Sequence, residues 1–330
     1  MGHSVDPARW QSVFEGLMGK VAGRFARVEP RRPARAFVLG LLADLPRKNC
    51  WTIAEHAGNA GPAGMQHLLS RARWDADRVR DDLRDFVVEH LGDEDAVLVV
   101  DETGDLKKGT ASVGVQRQYT GTAGRIENSQ VAVYLLYASA AGHAAIDRRL
   151  SIPRSWTQDP QRCHSVGIPD DLRSATRPAL ATEMIAQALD AGVRSRWVTG
   201  DEVYGGDPHL TALVKVAGRR WTVEETFQAA KSLAGLDEHQ VRRWVSWHRW
   251  TTLAMLAHAF LAVTAAIERA TTTTTPELSP LTCNEIQKLF AALLAPARDL
   301  AHRLHCSAWR RRHQARSRTS HYQRQATQQP

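Results

Sequence analysis

Residues 97–109 read VLVVDETGDLKKG. Four apolar residues run directly into Asp101 and Glu102, and a glycine and two lysines follow. The run has strand length and strand chemistry. An unpaired carboxylate at the end of a buried strand is costly, so its position calls for a cationic neighbour. A second short apolar run, RWVTGDEVYG at 196–205, ends the same way in Asp201 and Glu202. Two strand-end aspartates facing one another on adjacent strands could share a divalent ion, since Mg²⁺ takes one or two carboxylates plus water and phosphate oxygens. Taken singly, either aspartate reads as readily as a cap on the following turn.

The chain around these two runs has the texture of a mixed sheet. SVGVQRQYTG (112–121), QVAVYLLYAS (130–139) and HAAIDRRLSIPRSWTQDP (143–160) read as a meander of strands leading into a loop. RPALATEMIAQALDAGV (177–193) is an amphipathic helix with proline near its start and glycine near its end. Strands in series, a helix, then another strand define an α/β domain rather than a bundle. Residues 8–91 instead carry apolar residues at helical spacing, punctuated by Gly and Pro. Arg24, Arg27, Arg31, Arg32, Arg35, Arg47 and Lys48 crowd that region, either as a solvated face or as a phosphate-contacting surface.

From about residue 217 the pattern is helical again, interrupted by TTTTTPELSPL at 271–281. The last segment carries Arg310, Arg311, Arg312, Arg316, Arg318 and Arg324, with no acidic residue after Asp299. Such a tail is expected to be disordered on its own and suited to non-specific nucleic-acid contact. The whole chain has 43 Lys and Arg against 35 Asp and Glu, which suggests a polyanionic partner, nucleic acid or membrane surface. The four cysteines are scattered without a CxxC pair, and the start lacks the apolar core of a signal peptide. A reducing cytoplasm is therefore expected. TTLAMLAHAFLAVTAAIERA (251–270) approaches membrane length, but it contains His258 and follows WVSWHRW, so a buried core helix is the expectation.

GRRWTVEETFQAAKSLAGLDEHQVRRW (218–244) holds Arg220, Glu224 and Lys231. At about 100° per residue, offsets of 4 and 11 bring these three within roughly 40° of one another on a helix. One face would then present a carboxylate flanked by two cations, although the spacing alone fits an ordinary Arg–Glu pair on a solvated surface.

Four blocks together carry a specific likeness: VLVVDETGDLKKG, GVQRQYTGTAGRIENSQVAVYLLYA (114–138), VTGDEVYG (198–205) and RRWTVEETFQAAKSLAGLDEHQVRRW (219–244). They resemble bacterial insertion-sequence DDE transposases, in the subgroup with a Tyr-x2-Arg-x3-Glu-x6-Lys signature, over about residues 10–265. The resemblance implies an RNase H-like catalytic core, with Asp101, Asp201 and Glu224 as the ligands of two Mg²⁺ (or Mn²⁺) ions. Arg220 and Lys231 match the basic members that hold the DNA ends, while the tyrosine position falls at Ala217. Double-stranded DNA at the element ends and target is the implied partner, engaged as a homodimer in the nucleoid, with no membrane involved.

The domain plan that follows is a helical, DNA-binding region at 1–92 and an RNase H-like catalytic domain at 93–245. C-terminal helices, a Thr-rich linker and a basic tail then occupy 246–330. Arg31, Arg32 and Arg35, with Arg310, Arg311 and Arg312, are the expected DNA contacts outside the core. Two departures stand out. Only 22 residues separate Asp201 from Glu224, which suggests a deletion that shortens the stretch 202–216 and impairs catalysis. Asp105 occupies a position that is usually apolar in the family and could alter metal affinity. The competing expectation is a non-catalytic, DNA-binding remnant acting as a regulator or inhibitor. A phosphatase-like hydrolase using Asp101 as nucleophile would want a second Asp at 103, where the chain has Thr103.

Overall fold

The computed structural model describes residues 6–201, 204, 221–271, 280–294, 301–302, 304–309, 311–312, 314–316 and 319. Arg220, Arg310, Ala217, the stretch 205–216 and most of the Thr-rich linker lie outside the described residues.

The centre of the sheet is β1 (Val97–Leu106). It pairs antiparallel with β3 (Arg125–Ala138), Asp101 standing opposite Tyr134, and parallel with β5 (Trp197–Thr199), Val99 standing opposite Thr199. β2 (Gln116–Thr120) and β4 (His143–Leu150) pair with successive stretches of β3 on its other side. The result is a mixed five-stranded sheet in the order β2-β3-β1-β5, with β4 beside β3. This is the mixed α/β core that the strand and helix pattern predicts, consistent with the RNase H-like fold that the family resemblance implies, and it is flanked by helical regions.

The first strand differs from the expectation in one respect. Asp101 is not its last residue; β1 runs five residues further, to Leu106, because the long strand β3 continues to pair with it as far as Ser129. What ends near Asp101 is the parallel partner β5, at Thr199. The chain therefore has a carboxylate in mid-strand, at a point where one neighbouring strand has stopped. Gly104 is fixed by the same packing: a Cβ there would sit 2.1 Å from Oγ1 of Thr120.

Helices cover both faces of the sheet, which is why Val97–Val100 and residues 129–138 are buried without alternation. On β4, Arg148 reaches Asp77 of α5 (Ala76–Leu91) at 2.9 Å. Its neighbour Arg149 reaches Gln187 of α8 (Arg177–Asp190) at 2.6 Å, so α5 and α8 flank the sheet from opposite sides. The short helices α6 (Arg154–Thr157) and α7 (Pro160–Val166) lead from β4 towards α8. α9 (Trp221–Ala234) lies on the α5 side, where Phe227 meets Tyr134 edge-on with ring centroids 5.4 Å apart.

The apolar run at 251–270 belongs to α10 (Trp244–Thr271), the axis of the helical part. Around it pack α1 (Pro7–Ala22), α2 (Arg31–Leu42), α4 (Ala63–Ser70), α5, α9 and α11 (Cys283–Leu294). It is long and apolar enough to cross a membrane, yet 94% of its most apolar window is buried inside the protein, as a core helix requires. α3 (Cys50–His56) completes the N-terminal set and opens on a capping box between Asn49 and Thr52.

The described part of the basic tail is helical rather than formless. Trp309 packs against Trp51 of α3 with centroids 3.8 Å apart and the rings tilted by 53°, and His302 lies 3.1 Å from the carbonyl of Glu55. The aromatic pair gives this segment a docking site that its Arg-rich composition does not announce.

Candidate active site

Strand pleating assigns the side chains around Asp101. Asp101, Thr103 and Asp105 share the face towards α9, and Glu102 points to the α8 face. Lys231 of α9 accordingly donates from Nζ to Oγ1 of Thr103 at 2.6 Å, and Arg177, the first residue of α8, pairs with Glu102. Arg177 is held there by the start of its own helix: Thr176 caps α8 by accepting from the amide of Ala179, and Pro178 pre-sets the first turn.

Glu102 nevertheless reaches Asp101 and Asp201. One carboxylate oxygen from each of the three lies within 4.8 Å of the others. The open space beside β1 beyond Thr199 lets the longer glutamate side chain turn along the strand edge. Its two oxygens are separately engaged, Oε1 by Arg177 and Oε2 by the hydroxyl of Tyr204. Tyr204 lies three residues past Asp201, and its amide donates to the Asp201 carbonyl at 3.1 Å. Burial, then the charge of Glu102, pushes the Tyr204 hydroxyl well above its ordinary range, so it remains a donor. The Glu102 amide in turn donates to Oδ1 of Asp101 at 2.7 Å.

These groups open onto a cleft of about 970 Å³. Asp101, Glu102, Asp201 and Glu224 line it, as do Asp237 and Glu238, and its only basic lining residues among those described are Arg177 and Lys231. Among the described residues, six carboxylates face two cations, a lining that attracts a divalent cation. An all-oxygen donor set of this kind suits a hard divalent cation. Glu224 lies exposed in the first turn of α9, lining the cleft without joining the close group of three.

Asp105 lies four residues further along the same face of β1 and is engaged in a pair of its own. Its Oδ2 accepts from Nε2 of His239 at 2.9 Å, and Lys107 lies 3.9 Å away. Burial works against its charge, but the His239 hydrogen bond and the neighbouring lysines hold its carboxyl below the ordinary range. The charge so near Asp101 is thus absorbed internally, between β1 and the segment after α9.

The remaining basic residues expected to matter are placed elsewhere. Arg31 and Arg32 are exposed at the start of α2. Arg35, one turn on, is paired with Glu15 and sits 5.4 Å from the Phe14 ring centroid. Arg311 and Arg312 are exposed on the tail helix, where Arg312 also donates to the Ala308 carbonyl at 3.3 Å. None of these lines the cleft. Sequence reasoning passed over Glu102, Arg177 and Tyr204. Only the spacing of Tyr204, three residues after Asp201, hinted that it could return to the strand ends.

With this geometry in view, comparison with known proteins defines the class. The family model of the DDE superfamily endonucleases matches residues 20–230, and the chain belongs to that family. The cleft carboxylates fit the divalent metal use that is general in it. A probable transposase for insertion sequence element IS701 from Microchaete diplosiphon is 30% identical over 168 residues, 51% of this chain and 41% of that protein. The likeness therefore reaches less than half of the relative's length. No solved structure matches the chain.

Proposed function

We propose that this chain is the transposase of an insertion sequence, acting on double-stranded DNA at the element's terminal inverted repeats. The observation that supports this reading is the convergence of Asp101, Asp201 and Glu224 on one cleft of a DDE-family fold. Two Mg²⁺ or Mn²⁺ ions bound there would supply Lewis-acid stabilisation of the entering and leaving oxygens of an in-line displacement. Asp101 and Asp201 would hold them from the strands, and Glu224 from the helix.

In the first reaction water adds across a phosphodiester: its oxygen joins phosphorus, the bond to O3′ breaks, and a free 3′ hydroxyl remains. That hydroxyl then attacks a target phosphodiester and displaces the target's own 3′ oxygen. Lys231 has donors left after bonding Thr103 and would, with Arg220, neutralise phosphate beside the scissile bond. Arg31, Arg32, Arg35 and Arg310–Arg312 would contact DNA outside the cleft, in a homodimeric complex in the nucleoid.

Cleavage by this chain is expected to be weak. Glu224 is exposed on the first turn of its helix and outside the close carboxylate group, and only 22 residues separate it from Asp201, the short spacing from which a deletion is inferred. A catalytic group misplaced by about 1 Å can cost roughly 100-fold in rate. The same observation favours the second reading, a DNA-binding remnant that does not cut and acts as a regulator or inhibitor. The test is Mg²⁺- or Mn²⁺-dependent cleavage of DNA carrying the element's own ends, with Glu224→Ala alongside. Slow or absent cleavage is expected; robust cleavage that disappears in the variant would overturn the impairment.

A further inference from the structure

Both carboxylate oxygens of Glu102 are engaged, and the transposase reading assigns this residue nothing. Its backbone follows Asp101 directly, and its amide donates to Asp101 Oδ1. Through Oε2 it takes the hydroxyl of Tyr204, whose own amide is bonded to the carbonyl of Asp201. Through Oε1 it takes Arg177, at the capped start of α8. Three separate parts of the chain therefore meet on one carboxylate: β1, the turn bearing Asp201, and α8. β5 pairs with β1 only over Val97–Val99, so no backbone ladder fixes Asp201 against Asp101 beyond Thr199.

We propose that Glu102 is a positioning residue rather than a cation ligand: clamped by Arg177 and Tyr204, it sets the spacing between the carboxylates of Asp101 and Asp201. The inference rests on the reading of that aspartate pair as the cation site. Its logic is that of an outer-shell hydrogen bond, which fixes a ligand's orientation without touching the metal. Both Glu102 oxygens already accept a strong donor, one of them charged, which lowers their value to a cation. Tyr204 is buried at 1% exposure, so its hydroxyl has no competing contact with bulk water to replace the Glu102 bond.

The two roles for Glu102 predict opposite outcomes. If Glu102 were a ligand, removing Tyr204's hydroxyl would free an oxygen, and cation affinity would hold or rise. If it positions the aspartates, the same change would loosen the Asp201 turn and lower affinity. The experiment is Mn²⁺ titration calorimetry on the full chain, without DNA, for wild type, Tyr204→Phe, Arg177→Gln and Arg177→Lys. Thermal midpoints are recorded in parallel.

Tyr204→Phe and Arg177→Gln are expected to weaken Mn²⁺ binding by about 10-fold or more, the range for loss of an outer-shell partner. Arg177→Lys, which keeps the charge, should recover most of the affinity lost in Arg177→Gln. Affinity unchanged or raised in Tyr204→Phe would overturn the inference while leaving the cation site intact. An affinity loss matched by a general collapse of the thermal midpoint, with no recovery in Arg177→Lys, would overturn it in favour of a fold-wide role. Failure of the wild-type chain to bind Mn²⁺ would instead remove the cation site itself, and this inference with it.

Discussion

The two sides of the cleft are built differently. Asp101 belongs to a strand hydrogen-bonded along its length to β3, and the amide of Glu102 fixes its carboxylate further. Glu224 belongs to a helix held on the sheet by side chains, among them Phe227 against Tyr134, Lys231 on Thr103 and Thr226 beside His143. A strand carboxylate inherits the rigidity of the ladder. A helix carboxylate in an exposed first turn inherits only what packing and the preceding connection supply. On the proposed reading, the strand half is arranged for a cation in the absence of DNA, whereas the helix half is held by side-chain packing.

The largest expected effect lies in the helix half. Phe227 is buried at 8% exposure and forms the main apolar contact of α9 with the sheet. Phe227→Ala should cost about 3–5 kcal/mol, as truncation of a buried aromatic generally does. Chemical denaturation measures it, and a loss under about 1 kcal/mol, within the range of peripheral substitutions, would mean that α9 is not seated through this ring.

Acid should act more gently, on the tie between the halves. Burial lowers the pKa of His239 below its ordinary 6.5. As pH falls through 6.5 the unfolded chain takes up a proton that the folded chain refuses, so stability declines from there downwards. Asp105 has its pKa lowered from 3.8, so its contribution is present above that value and is lost as pH falls through the folded pKa. Denaturation midpoints should thus begin to fall below about pH 6.5 and fall further below about pH 4. His239→Gln should flatten the upper part of that decline; an unaltered profile would show that the pair does not titrate with folding.

The same contrast explains what the sequence revealed. That Asp101 and Asp201 lie close together is an expectation from two apolar runs that each meet a carboxylate, and β1 and β5 do lie side by side. α10 was legible as a core helix because His258 and the flanking tryptophans suit burial in protein. Glu102 was not legible, because strand alternation turns it from Asp101; its return to the cluster depends on where β5 stops and on Arg177 and Tyr204 arriving from far along the chain. The charge at Asp105 was legible but its partner was not, since His239 is brought to it only by the packing of α9. The tail's arginines were plain in composition, whereas its docking depends on contacts between residues far apart in sequence, Trp309 with Trp51 and His302 with the Glu55 carbonyl.

The central claim, that before DNA is bound the cation is held by Asp101 and Asp201 without Glu224, is tested most directly by Mn²⁺ affinity without DNA in two variants. Asp101→Asn should lower it by at least about 100-fold, the upper end of what loss of even an outer-shell partner costs. Glu224→Gln should change it by less than about 3-fold, below even the lower end of that outer-shell range. Comparable losses in the two variants would contradict the account and place Glu224 on the cation before DNA is bound.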